Sequence, residues 1–183
     1  MTCVTFRAYG PEPVSPTSSP MTELRLPASV LQGILARAAL VFLRFYLGVI
    51  FLIAGVPKLQ EDFAIRLTGF LRSVALTKGY VFYQEFAQQE LLPHVRLLAG
   101  FVSWAEVLVG AALILGLATR LVSALAIVLL VNYMLAKGAW FGSPASNDAA
   151  LLAIAVALII GAAGRTLGVD AVLARRWPRS ALW

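Results

Sequence analysis

The sequence has little with which to do chemistry unaided. One cysteine, Cys3, and one histidine, His94, occur in 183 residues. A single thiol excludes an intrachain disulfide, and it supports no Cys-x-x-Cys, haem-attachment or zinc-finger spacing. A lone histidine builds no metal site, so no metal is expected. Any redox-active group must be borrowed. Charge is scarce too: 13% of residues are Asp, Glu, Lys or Arg, about half the share typical of a soluble protein. No basic start followed by an apolar run reads as a signal peptide in the first twenty residues.

What is there is apolar. Hydrophobic residues make up 60% of the chain, and the mean hydropathy is +0.84. Most of such a chain belongs in a bilayer. The formal net charge of +6 then reflects topology and anionic headgroups. No basic stripe is interleaved with aromatics, so no nucleic acid is expected as a partner.

Residues 1–34 read as a disordered tail, with Pro11, Pro13, Pro16, Pro20 and Pro27 among Ser, Thr and Glu. Met21-Thr22-Glu23-Leu24 offers an alternative start. Residues 35–173 hold four apolar stretches: about 38–59, 95–117, 121–140 and 149–163. A span needs about 20 apolar residues, so the fourth must recruit neighbours at one end. Helices alone satisfy their backbone in lipid without a closed barrel. Recurrent Gly and Ala allow close helix approach. The fold class is all-α, an integral membrane four-helix bundle. Ala118-Thr119-Arg120 is short enough to force an antiparallel hairpin.

The link from Gln60 to His94 is long. Phe63, Leu67, Phe70, Leu71 and Val74 recur at helical spacing with Arg66 and Arg72 off the stripe. This predicts an amphipathic helix on the membrane surface or capping the bundle, with a second around Tyr80 to Leu92. Residues 174–183 form a basic tail. Its Arg175, Arg176 and Arg179 favour both termini on the inside.

Arg44 lies about six residues into the first span, roughly 9 Å deep. Gly48, Phe51, Gly55 and Lys58 fall near its face. A charge at that depth needs a partner or a purpose. Glu106, near the middle of the second span, shares a face with Ser103 and Gly110. Antiparallel packing predicts an Arg44–Glu106 ion pair. Its plainer role is to fix register. Its functional role is a pocket for a quinone or small oxyanion, with Arg44 as anion or carbonyl partner and Glu106 as proton acceptor. Asn132 is expected to hydrogen-bond across helices, with Tyr133 beside it. Lys58, Lys137, Trp104 and Trp140 read as interfacial anchors, and Asn147 or Asp148 as a helix cap. Asp170 reads as a cap or loop contact, and His94 as an interfacial residue. The candidate polar pocket is Arg44, Glu106, Asn132, Tyr133, Lys58 and Trp104.

Arg44-x-x-x-Gly48-x-x-Phe51-x-x-x-Gly55-x-x-Lys58-Leu59 resembles the first span of DoxX-like membrane proteins. Glu106-x-x-x-Gly110 with Leu115-Gly116-Leu117-x-Thr119-Arg120 is similar to the family's second span and tight turn. Ala163-Gly164-Arg165-Thr166-Leu167-Gly168-Val169-Asp170 resembles its closing segment. Lys137-Gly138-x-Trp140 with Asn147-Asp148-Ala149-Ala150 leans toward the DoxD branch, the small subunit of thiosulfate:quinone oxidoreductase. The resemblance covers about residues 38–173. It implies a membrane subunit of a bacterial or archaeal plasma membrane, a bound quinone and a partner redox subunit. It implies no firm catalytic residues. A non-enzymatic scaffold and, behind it, a small-solute carrier stay open, as does a homo-oligomer.

Overall fold

The computed structural model of the protein describes residues 27–60, 62–140, 142–143, 147–161 and 168–176. Helix α1 runs Ala28–Gly55. It starts ten residues before the expected span, inside the expected tail. Leu, Ala, Gln and Arg between 31 and 37 are good helix formers, and Pro27 is the natural stop at the N-terminal side. Pro57 lacks the N–H that an α-helix needs, and α1 tightens there into a 3-10 turn, Val56–Leu59.

The long link forms a cap. Helix α2 is Phe63–Phe70, followed by a π-type turn at Leu71–Ala75 and the short α3, Leu76–Lys78. Helix α4 is Val81–Phe86, followed by a second π-type turn at Ala87–Leu91. The expected amphipathic segments are therefore helical. They cap one end of the bundle: Leu71, Ala75, Tyr83 and Ala87 bury against Ala136.

Helices α5, Val95–Leu115, and α6, Thr119–Lys137, make the predicted antiparallel hairpin. Gly116 closes α5 at φ 66°, in the left-handed region that favours glycine. Helix α7, Asp148–Ile160, and helix α8, Val169–Arg176, complete the described elements. With 13 residues, α7 is only about 20 Å long and does not by itself match a span. The last residues of the expected span, 162 and 163, lie outside the described residues, as do residues 144–146 of one expected extension and Gly164, the other. Among the described residues three helices are long and apolar enough to cross a membrane, and α7 is a shorter apolar fourth.

The most extensive packing is between α1 and α5, followed by α6 with α7. A Cβ added at Gly110 would lie 2.8 Å from the Gly48 carbonyl oxygen, and one at Gly55 2.9 Å from the Glu106 Cβ. Only small residues permit that approach. Leu47, Phe51, Leu113, Ala126, Ala155 and Leu158 fill the centre. Phe42, Leu97, Phe101, Leu108, Val128 and Ile160 project outward, as a bilayer-covered surface requires.

Candidate functional site

Backbone register decides where the charges go. Gly48 faces Gly110 and Ile114, and Gly55 faces Glu106. Continuing the same antiparallel pairing puts Lys58 opposite Ser103. The Ser103 hydroxyl hydrogen-bonds with the Lys58 carbonyl at 2.8 Å and with the Ala99 carbonyl at 2.7 Å. The 3-10 turn frees that carbonyl from the α1 ladder. Lys58 Nζ donates to both Glu106 oxygens, at 2.5 and 2.6 Å. The Tyr133 hydroxyl donates to Glu106 Oε1. Glu106 is 1% exposed and the Lys58 side chain 24%. The Lys58 ammonium also lies 5.2 Å from the Tyr133 ring centre and 5.7 Å from that of Phe63.

The expected Arg44–Glu106 pair does not form. Glu106 lies ten residues before Gly116, about 15 Å along α5, and Arg44 sits at the Gly116 level. A Cβ at Gly116 would meet Arg44 Nη1 at 2.6 Å, and one at Gly168 would meet it at 3.0 Å. Asp170 is the carboxylate whose charge acts on this guanidinium. Asp170 also accepts hydrogen bonds from the backbone N–H groups of Ala118 at 2.6 Å and Thr119 at 2.7 Å. It caps α6 from a distant segment, where an anion suits the helix N-terminus. Arg44, Thr119 and Asp170 are all buried there. This end of the bundle is a polar tie, remote from Glu106.

A cavity of about 560 Å³ opens beside Glu106. Phe51, Leu98, Val102 and Leu130 give it apolar walls, and the cap residues Phe63, Leu67, Phe70 and Leu71 lie across it. Lys58, Glu106, Tyr133 and Asn132 line it; Arg44 and Trp104 do not. Trp104 is 58% exposed on the outer face of α5. Asn132 hydrogen-bonds across helices, accepting from the Tyr83 hydroxyl of α4 at 2.9 Å. Burial pushes the Tyr83 phenol above the usual tyrosine range, and the Asn132 hydrogen bond opposes that in part.

Lys137 and Asp148, read from sequence as an anchor and a cap, are partners at 2.7 Å on the cavity wall. They tie the C-terminus of α6 to the N-terminus of α7. Asn147 holds the cap position of α7 without a side-chain capping bond. His94 is exposed, its Nδ1 3.0 Å from the Glu90 carbonyl. Among the described residues no group of three His, Cys, Asp or Glu is placed to hold a metal ion.

The arrangement presents a cation, a phenol and a buried carboxylate at one side of an apolar chamber. It can donate hydrogen bonds to a carbonyl and exchange a proton at Glu106. A family model described as DoxX matches residues 39–142, and the chain belongs to the DoxX family. No curated protein and no solved structure matches the chain.

Proposed function

We propose that this DoxX-family membrane protein is a subunit of a quinone-linked oxidoreductase of the thiosulfate:quinone type. In this reading it holds the quinone head beside Glu106. The supporting observation is the Lys58–Glu106–Tyr133 cluster, with its carboxylate buried, at the side of a cavity whose α1 and α5 walls are apolar. The cavity volume lies within the range of small-molecule sites. The donor set fits a quinone head: apolar walls for the ring, the third N–H of the Lys58 ammonium as donor toward a carbonyl, Tyr133 holding the Glu106 carboxylate, and Glu106 as the group that exchanges a proton. A bound quinone supplies the two-electron acceptor. A partner redox subunit delivers the electrons, and both termini face the cytoplasm.

The test is thiosulfate-dependent quinone reduction in membranes from cells expressing the protein with its genomic neighbours. Activity should exceed that of empty membranes and fall at least tenfold in Glu106→Gln. Membranes with no activity, together with stoichiometric protein partners in a detergent pull-down, would replace this reading with that of a non-catalytic scaffold.

A further inference from the structure

The cavity is not closed on every side, and its margins differ in chemistry. At the α6–α7 margin the Lys137–Asp148 pair spans the wall. At the α1–α2 margin the lining residues Ala54, Pro57 and Arg66 are themselves exposed. Their neighbours on the outer surface are apolar: Ile53 is 66% exposed, Val56 55% and Ile65 74%. An opening rimmed by large aliphatic side chains, Ile53 and Val56 on the spanning segment and Ile65 on the cap helix α2, faces acyl chains on its α1 side. Among the described residues a polar contact crosses it. Arg66 Nη2 donates to the Pro57 carbonyl at 3.0 Å, and the guanidinium lies 6.0 Å from the Phe63 ring centre. Arg66 is exposed, and its long stem lets the charge reach the headgroups.

We infer that this margin is a lipid-facing portal, latched by Arg66 on the Pro57 carbonyl. Through it an amphiphile with a hydrogen-bonding head and an apolar tail enters from the bilayer. The head reaches Lys58, Glu106 and Tyr133. The tail lies along Ala54, Pro57 and Leu67 and leaves between α1 and α2. The inference rests on the reading of this cavity as a ligand site, and it adds the route and the tail.

Two measurements test it on the full chain in phosphatidylcholine–phosphatidylglycerol liposomes. In a Cys3→Ser background, Ala54→Cys carries a nitroxide. Its collision rate with dissolved oxygen should exceed that with a neutral nickel chelate several-fold. Lys78→Cys is the water-facing reference. A nickel collision rate at position 54 equal to that at position 78 would overturn the lipid-facing portal, as would exclusion of both reagents. Next, decylbenzoquinone and tail-less benzoquinone are mixed with the position-54 label. Decylbenzoquinone should immobilise it, and Arg66→Gln should speed that association roughly three- to tenfold, the scale of one partly exposed charge-assisted hydrogen bond. An unchanged rate overturns the latch. Failure of both quinones to bind overturns the ligand reading beneath it, while the collision data still report the opening on their own.

Discussion

A double-mutant cycle on Lys58 and Glu106 probes both the register of α1 against α5 and the site built on it. At 2.5 Å and an effective dielectric of about 20, the Coulomb attraction is roughly 6–7 kcal/mol. Glu106 is 1% exposed, so desolvation takes back several kcal/mol of that. The coupling left is about 2–4 kcal/mol. Lys58→Met alone strands a buried carboxylate and should cost about 3–5 kcal/mol. Glu106→Leu alone strands a cation that is partly in contact with solvent, and should cost less. The double variant should recover most of the loss. The assay is urea unfolding of the chain in mild detergent, followed by circular dichroism. The parallel cycle of Arg44→Met with Glu106→Leu should be additive within about 0.5 kcal/mol, because the two sites are remote. Coupling above about 1 kcal/mol in the Arg44 cycle, or none in the Lys58 cycle, would refute the register.

Asp170→Ala leaves the buried Thr119 N–H and the part-buried Ala118 N–H without acceptors and removes the charge facing Arg44, so it should cost about 3–5 kcal/mol in the same unfolding assay. Val172→Ala, on an exposed position of α8, should cost under about 0.5 kcal/mol. Gly110→Ala drives a methyl to within 2.8 Å of the Gly48 carbonyl oxygen and should cost about 1–3 kcal/mol, seen as a lowered melting temperature. Tyr83→Phe removes the hydroxyl bonded to Asn132 and should cost about 1 kcal/mol near neutral pH. The Tyr83 pKa is raised in the folded state, so its contribution is full below the ordinary tyrosine pKa of about 10 and is lost as pH rises beyond it. The phenylalanine variant should therefore lose less stability than the parent between pH 9 and 11, measured by thermal melts.

The bundle was legible because hydropathy and small residues speak about single helices. The apolar runs at about 95–117 and 121–140 had to be helices and the short link between them a hairpin; the structure moves that link from 118–120 to 116–118, because Gly116 takes the left-handed turn. The amphipathic cap showed in the spacing of Phe63, Leu67, Phe70 and Leu71, and its place over the bundle was one of two outcomes left open. Charge pairing was harder, because it depends on register between helices far apart in sequence. Counting depth from the ends of the apolar runs put Arg44 beside Glu106. Aligning the glycines instead, Gly48 on Gly110 and Gly55 on Glu106, brings Lys58 to the carboxylate and Arg44 to the far turn. That signal was in the sequence, since a glycine pair at a helix contact is a better ruler than an apolar boundary that frays. Lys137 with Asp148 depended on how the loop folds back, which no local pattern specifies. The same is true of Asp170, whose partners lie about fifty residues away.

That last distance bears on how the protein is made. The α5–α6 hairpin is synthesised and can insert well before Asp170 exists. Until then the N–H groups of Ala118 and Thr119 must bond to water or to headgroups at the membrane edge. They gain their buried acceptor only after the 52-residue interval to Asp170 has been translated. The turn is thus finished by α8, and the bundle locks as a post-insertion event. A nascent chain halted after α7 would hold its spans with that turn still hydrated, and proteases or chaperones at the membrane face could tell it from the completed protein.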